Sequence, residues 1–450
     1  MHFGHACSTV PDNGPKQVVA SLNQIIMKTK LFSFLVPVAV LCGALPLKGQ
    51  YVPGTEYSEE LRPYVEFIEN CNEDPVDYVF RLFDKYDIVV MGERDHRDTT
   101  QYDLFERIFA DPRFAENVGH VMTELGSSNM SEQGSRLINP ETFDDTVFYP
   151  NFICFVRNSS DITIPEKTNF YHLHRDLYNI NKNLPPDKRI DIHYTGRAFH
   201  WPSTGEMTRE DYKNYRKYSG GGKYDIILAE NAVNAYCKIL DGPDPRKKVF
   251  IIYNRPHSYR EYDIWEDGKP SSTGGAAQLI AYRFPGKMAN VMLNWSDISH
   301  IPEEYAIKYD IPENYVYIPY QKGKWDAAFA VCGDKSIGFD FAGTPFGEDD
   351  FDTYDPPRNK TTYADIYNGF IFYLPQTDWV ASGGYKDLMD PEFEEEYRRR
   401  IAIFSDRPEW LYDVWSQGVE SGPVLEDYET EIYYDHINKF FQKPGTEKGK

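Results

Sequence analysis

Asp87-Ile88-Val89-Val90-Met91-Gly92-Glu93-Arg94-Asp95-His96 is the stretch that decides the fold. From Tyr86 to Glu93 the run is apolar and partly β-branched, without alternation, which predicts a short strand buried on both faces and hence a parallel sheet covered by helices. Tyr102, Phe105, Ile108 and Phe109 then recur at near-helical spacing, and Asp111-Pro112 stops that helix. His120 to Glu124 gives a second apolar run, ending at Gly126. Strand, helix and strand make a right-handed crossover unit, expected to set the carboxyl ends of both strands, with Glu93 and Glu124, side by side.

Working outward, residues 127–189 lose this pattern and read as a helical insertion or cap, with a helix around Tyr171–Asn181. Ile190–Tyr194 predicts a third strand. Tyr224–Leu240 predicts a helix with Ile226, Val233, Cys237 and Leu240 on one face and Glu230 on that same face. Lys248–Tyr253 is another strand with His257 four residues beyond, and Ala289–Leu293 and Gly369–Leu374 extend the sheet. Asp390–Ile403 is a charged amphipathic helix in a helical carboxyl-terminal region, 385–450. The fold class is α/β, a mostly parallel sheet flanked by helices in one main domain over 50–450.

The 450 residues rule out a small stapled fold, and 41% apolar content with 15% aromatics describes an ordered globular chain. A net charge of -22 repels phosphate backbones and anionic lipid, which argues against nucleic acid or a membrane surface as partner; the expectation of a small-molecule substrate comes from the strand-end residues, not from the charge. Met27-Lys28-Thr29-Lys30 followed by the apolar stretch Leu31–Leu47 has the form of a signal peptide over 27–49, too short for a membrane span. Residues 1–26 carry no core pattern, and Met27 makes the better start. Export to the periplasm or beyond is expected, with no transmembrane segment in the mature chain. A lipoprotein anchored through Cys42 is disfavoured by the bulky Leu41. Cys71, Cys154, Cys237 and Cys332 are too widely spaced for a zinc ribbon and leave disulfide pairing open.

Ligands of open α/β sheets bind at strand carboxyl ends, so polar residues collected there carry weight. Gly92-Glu93-Arg94-Asp95-His96, Thr123-Glu124-Leu125-Gly126 and Asn254-Arg255-Pro256-His257 all fall at that edge. Two carboxylates beside two imidazoles suit a general base, and Glu93, His96, Glu124 and His257 also offer the oxygen and nitrogen donors that zinc or manganese accepts. Tyr171-His172-Leu173-His174 places its imidazoles two apart, read as solvated or capping, and Gly220-Gly221-Gly222-Lys223 reads as a flexible turn rather than a phosphate loop.

Gly92-Glu93-x-x-His96, the acidic strand end at Glu124, Ala229-Glu230-Asn231 and the strand followed by His257 together resemble the erythromycin esterase family and its ChaN-like relatives. The collinear order extends over about residues 80–380. The resemblance implies hydrolysis of an ester or lactone, with His96 as general base, Glu93 and Glu124 holding it or the water, His257 assisting the carbonyl or leaving alcohol, and Glu230 supporting from its helix. It also brings two alternatives, a haem- or iron-binding protein of the ChaN type and a metal-dependent peptidase of the wider Gly-x-x-His group. The chain departs from the family where Asp95 and Arg97 flank His96, where Asn254-Arg255-Pro256-His257 lacks one histidine of the family's His-Asn-x-His and adds an arginine, and where Gly196 is followed by Arg197-Ala198. Arg97, Arg197 and Arg255 therefore either bind an anionic substrate or neutralise the neighbouring carboxylates.

Overall fold

The computed structural model describes residues 56–441 except 162–167, 203–205, 219–223, 261–264, 267–268, 271–274, 301–306, 308–314, 353–360, 385–386, 389, 406–407 and 410–420. The expected leader 1–49 with Cys42, and the turn at Gly220–Lys223, lie outside the described residues. Seven strands form the main sheet: β1 (Ile88–Glu93), β2 (His120–Ser127), β3 (Asp191–Gly196), β4 (Val249–Asn254), β5 (Met288–Leu293), β6 (Ile337–Asp340) and β7 (Gly369–Phe372). Their spatial order is β6-β7-β5-β1-β4-β2-β3, parallel throughout except for the β6–β7 pair. The α/β class and the strands read from buried apolar runs are all present.

The expected adjacency of β1 and β2 is corrected. β4 lies between them, pairing Val89 with Phe250 on one side and Val121 with Phe250 on the other. A crossover helix is about 10 Å wide against roughly 4.8 Å between strands, so the unit steps over one position, which a later strand fills. Among the described residues no helix is long and apolar enough to cross a membrane, and the four cysteines form no disulfide.

Alternation along the central strands divides the core in two. Val89 and Met91 of β1 pack with Phe250 and Ile252 against helix α1 (Thr100–Ala110) and against α2 (Thr168–Lys182), which lies in the helical stretch joining β2 to β3. Ile88 and Val90 pack with Val249 and Ile251 against α3 (Tyr224–Asp241) and α4 (Ala276–Arg283). His174 of α2 is fully buried in the first layer, with Nδ1 2.5 Å from Phe170 O and Nε2 2.5 Å from Tyr194 Oη. It is a core residue, not the solvated or capping one its spacing suggested, and burial lowers its pKa to about 4, so it is neutral.

The loop after β1 is fixed by polar contacts rather than by apolar packing. Arg94 Nε lies 2.9 Å from Asp98 Oδ2 with both side chains wholly buried, and the guanidinium stacks 4.1 Å from the Trp379 ring. Burial raises the Asp98 carboxyl above its ordinary range even though Arg94 and Thr100 favour its charge. Gln101 of α1 accepts from Arg94 N and donates to the carbonyls of Asp95 and Asp98, and Asn169 of α2 donates to those of His96 and Asp98. Removing one partner of a buried pair leaves an uncompensated charge, so Asp98→Ala is expected to cost about 3–5 kcal/mol in urea unfolding. The apolar pair Arg94→Met with Asp98→Leu recovers part of that loss, whereas equal destabilisation by the single and double variants would show that the charge is not the cause.

Candidate active site

Strand parity sets where the two glutamates go. Glu93 follows Val89 and Met91 onto the α1 face, where its Oε1 accepts from Tyr102 Oη at 2.7 Å. Glu124 follows Met122 towards the α3 face. Between Thr123, paired with Tyr194, and Ser127, paired with Gly196, β2 bulges, and the bulge delivers Glu124 to the sheet edge. It depends on two glycines: Gly126 has φ +102°, and a Cβ on Gly196 would lie 2.4 Å from Gly126 O.

His96 bridges the faces. Its Nδ1 lies 2.7 Å from Glu93 Oε2, which fixes the tautomer with the proton on Nδ1, and its Nε2 lies 3.4 Å from Glu124 Oε1. Glu124 Oε2 is in turn 3.8 Å from His257 Nε2, and His257 Nδ1 is 2.8 Å from Asp225 Oδ1. Three carboxylates and two imidazoles thus alternate, each ring held at Nδ1 by one carboxylate and turned at Nε2 towards Glu124. Burial alone would lower the His257 pKa, but Glu124 and Asp225 outweigh it and raise it to about 9, so this ring is protonated at neutral pH.

His96, Glu124 and His257 line a cavity of about 190 Å³, together with Asp161, Arg197, Arg216, Tyr224 and the backbone of Gly126 and Gly196. That is below the roughly 300–1,000 Å³ of drug-sized ligand sites, and it matches a small substrate or one arm of a larger one.

The four predicted catalytic residues Glu93, His96, Glu124 and His257 therefore come together, and Arg197 joins the cavity wall. Three expected binding residues do not. Arg97 turns to its neighbour Asp95, with Nε 3.1 Å from Oδ1. Arg255 donates to Tyr320 Oη at 2.6 Å and lies over the Trp295 ring, because it shares a tight 3₁₀ turn with His257 and residues two apart there leave in different directions. Glu230 is exposed: the stripe of α3 that meets the sheet is Leu228, Ala229, Ala232, Tyr236 and Ile239, not the predicted one, and the small alanines let the helix approach closely.

The helix does serve the site, through Asp225 in its first turn, which also accepts from Ala276 N at 2.8 Å. Asp225 was missed because an acid at a helix start is routine, and Tyr102 because its spacing made it one more apolar position of α1. Asp161 and Arg216 carry no sequence signal.

Glu93, His96 and Glu124 could hold a metal ion, since each offers a ligand atom and these atoms lie within 4.8 Å of one another. Glu124 Oε2 is buried and makes no hydrogen bond among the described residues, an oxygen suited to receive a cation. Zinc or manganese fits this donor set.

No family model matches the chain, and no curated protein matches it. Solved structures similar to it include an erythromycin esterase. That structure, a variant in its open conformation, has 8% identity and a TM-score of 0.38 over 70% of this chain and 96% of its own. ChaN of Campylobacter jejuni with cofacial haem gives 12% and 0.28 over 50% and 87%, and a Bacillus cereus protein gives 9% and 0.39 over 69% and 96%.

Asp225→Asn removes one of the carboxylates that hold the His257 proton. By NMR titration His257 is expected to titrate near 9 in the parent protein, and lower in the variant. The ring's contribution to stability has the same sign: it is complete below the unfolded value of about 6.5 and is lost as pH rises through the folded value. An unchanged titration in Asp225→Asn would mean that Asp225 does not hold the proton.

Proposed function

We propose that this chain is a hydrolase that cleaves an ester or lactone with water activated by His96. The observation that carries the reading is the alternating line Glu93–His96–Glu124–His257–Asp225 along the sheet edge, with both imidazoles turned at Nε2 to one carboxylate in a cavity.

Water in the cavity gives its proton to His96 Nε2 as its oxygen attacks the carbonyl carbon. Glu93, fixed by Tyr102, holds the Nδ1 proton and with Glu124 stabilises the imidazolium that forms. His257, already protonated, hydrogen-bonds the carbonyl oxygen as it becomes an oxyanion or gives its Nε2 proton to the departing alkoxide. One environment leaves His96 partly exposed, at 31%, to meet water, and the other seals His257 between two carboxylates, so base and acid are separated by position. A zinc or manganese ion held by Glu93, His96 and Glu124 would occupy the His96 Nε2 lone pair and would itself supply the acidity that activates water, in place of the imidazole base. The basic-then-apolar stretch from Met27 supports action outside the cytoplasm.

A panel of small nitrophenyl esters and lactones tests the reading. His96→Ala is expected to lose about 10²- to 10⁴-fold in kcat with an unchanged far-UV spectrum, and Tyr102→Phe to lose less because Glu93 keeps its bond to His96. Turnover undiminished in His96→Ala would overturn the assignment. Zinc binding measured by calorimetry is expected to disappear in the same variant.

A further inference from the structure

The cavity has a second chemical feature that hydrolysis does not use. Arg197, in the residue after β3, and Arg216, in the last turn of the helix Arg209–Tyr218, reach its wall from separate elements. Asp161 braces both: its Oδ2 lies 2.7 Å from Arg216 Nη1 and 3.8 Å from Arg197 Nη1, and accepts from Tyr212 Oη at 3.2 Å. The Arg197 side chain is only 4% exposed and stacks 5.4 Å from the Tyr224 ring, which holds its plane, and Arg216 is 38% exposed at the mouth. A chain of net charge -22 thus presents two guanidinium groups in one small cavity.

Guanidinium is planar, carries five N–H donors and pairs with oxyanions through two parallel bonds, in a low-dielectric setting where such bonds are strong. Asp161 engages both arginines through its Oδ2 and so holds the two guanidinium groups at the cavity wall. Glu124 and Asp161 share the cavity, and their charge favours a monoanion over a doubly charged phosphate.

We propose that the substrate is an ester or lactone bearing a carboxylate, which Arg197 and Arg216 bind while the carbonyl lies at His96 and His257. This rests on the hydrolytic reading for the reaction, but not for the anion site. Only one of the three arginines suspected from sequence belongs to the clamp, and Arg216 completes it.

The test compares two esters of equal length, 4-nitrophenyl hydrogen succinate and 4-nitrophenyl butyrate. The wild-type protein is expected to prefer the succinate ester about tenfold in kcat/KM, and Arg216→Met to erase that preference. Arg197→Lys, which keeps the charge but not the fork, is expected to lower it as well, and reports on Arg197 even where a neutral residue at that buried position fails to fold. Equal use of both esters by the wild type, or a ratio unmoved in Arg216→Met, would overturn the proposal. Calorimetric titration with succinate and with inorganic phosphate separates this from the hydrolytic reading. Succinate binding that survives His96→Ala and is lost in Arg216→Met supports the clamp even if neither ester is cleaved. Absence of succinate binding, or tighter binding of phosphate, counts against it.

Discussion

A charged pair sealed from water is an expensive way to hold a loop, and the pair Arg94–Asp98 under Trp379 holds the one on which the site depends. Burying either ion costs several kcal/mol, and their mutual attraction repays this only when geometry and hydrogen bonds are nearly complete. The surroundings meet that condition only in part: Gln101, Thr100 and Asn169 satisfy the backbone and Asp98 Oδ1 from two helices, whereas Arg94 Nε and Nη2 and Asp98 Oδ2 make no hydrogen bond among the described residues and rely on the ion pair itself. An apolar plug of the same volume could fill the space but would not dictate where the backbone of residues 94–98 runs. His96 must present Nδ1 to Glu93 and Nε2 to Glu124 at once, and a ring with two fixed ends tolerates little drift of its Cα.

The second constraint is topological. Because β4 lies between β1 and β2, the two glutamates leave strands that are not neighbours, and because their parities differ they leave on opposite faces of the sheet. Neither carboxylate could reach the other's helix layer. His96, standing beyond the strand end, is placed to touch both, and Asn254 at the end of the intervening strand donates to Arg94 O, so β4 supports the same loop. Its short 3₁₀ turn then brings His257 to Glu124 from the far side. The site thus assembles at the place where the chain, having run from β1 out to β3, returns to the centre of the sheet, the position at which open α/β sheets leave a crevice.

This explains what could be read in the sequence and what could not. β1, β2 and β4 are legible because a strand buried on both faces is apolar along most of its length, as at residues 88–91, 121–122 and 249–253. The gathering of Glu93, His96, Glu124 and His257 follows from their place just after such runs. The order of strands is not local information, and the insertion of β4 leaves no mark on residues 86–126. The facing of α3 was obscure for a related reason: Ile226, Val233 and Leu240 offer as apolar a stripe as Leu228, Ala232 and Ile239, and only the sheet's demand for close packing at Ala229 and Ala232 chooses between them. With the wrong stripe came Glu230, and with the right one Asp225.

The arginines show the same limit more sharply. Arg97, Arg197 and Arg255 each stand next to a site residue in the chain, yet adjacency in sequence is a poor guide to direction when the residue lies in a turn. Arg97 is used by Asp95, and Arg255 by Tyr320 and Trp295, and neither arginine lines the cavity. Arg197 reaches the cavity because it follows Gly196, the residue whose missing side chain lets β3 press against the bulge of β2. The glycine that positions Glu124 thus also positions the guanidinium beside it. Catalytic carboxylate and anion clamp are set by one backbone contact, so a side chain at Gly196 disturbs both at once.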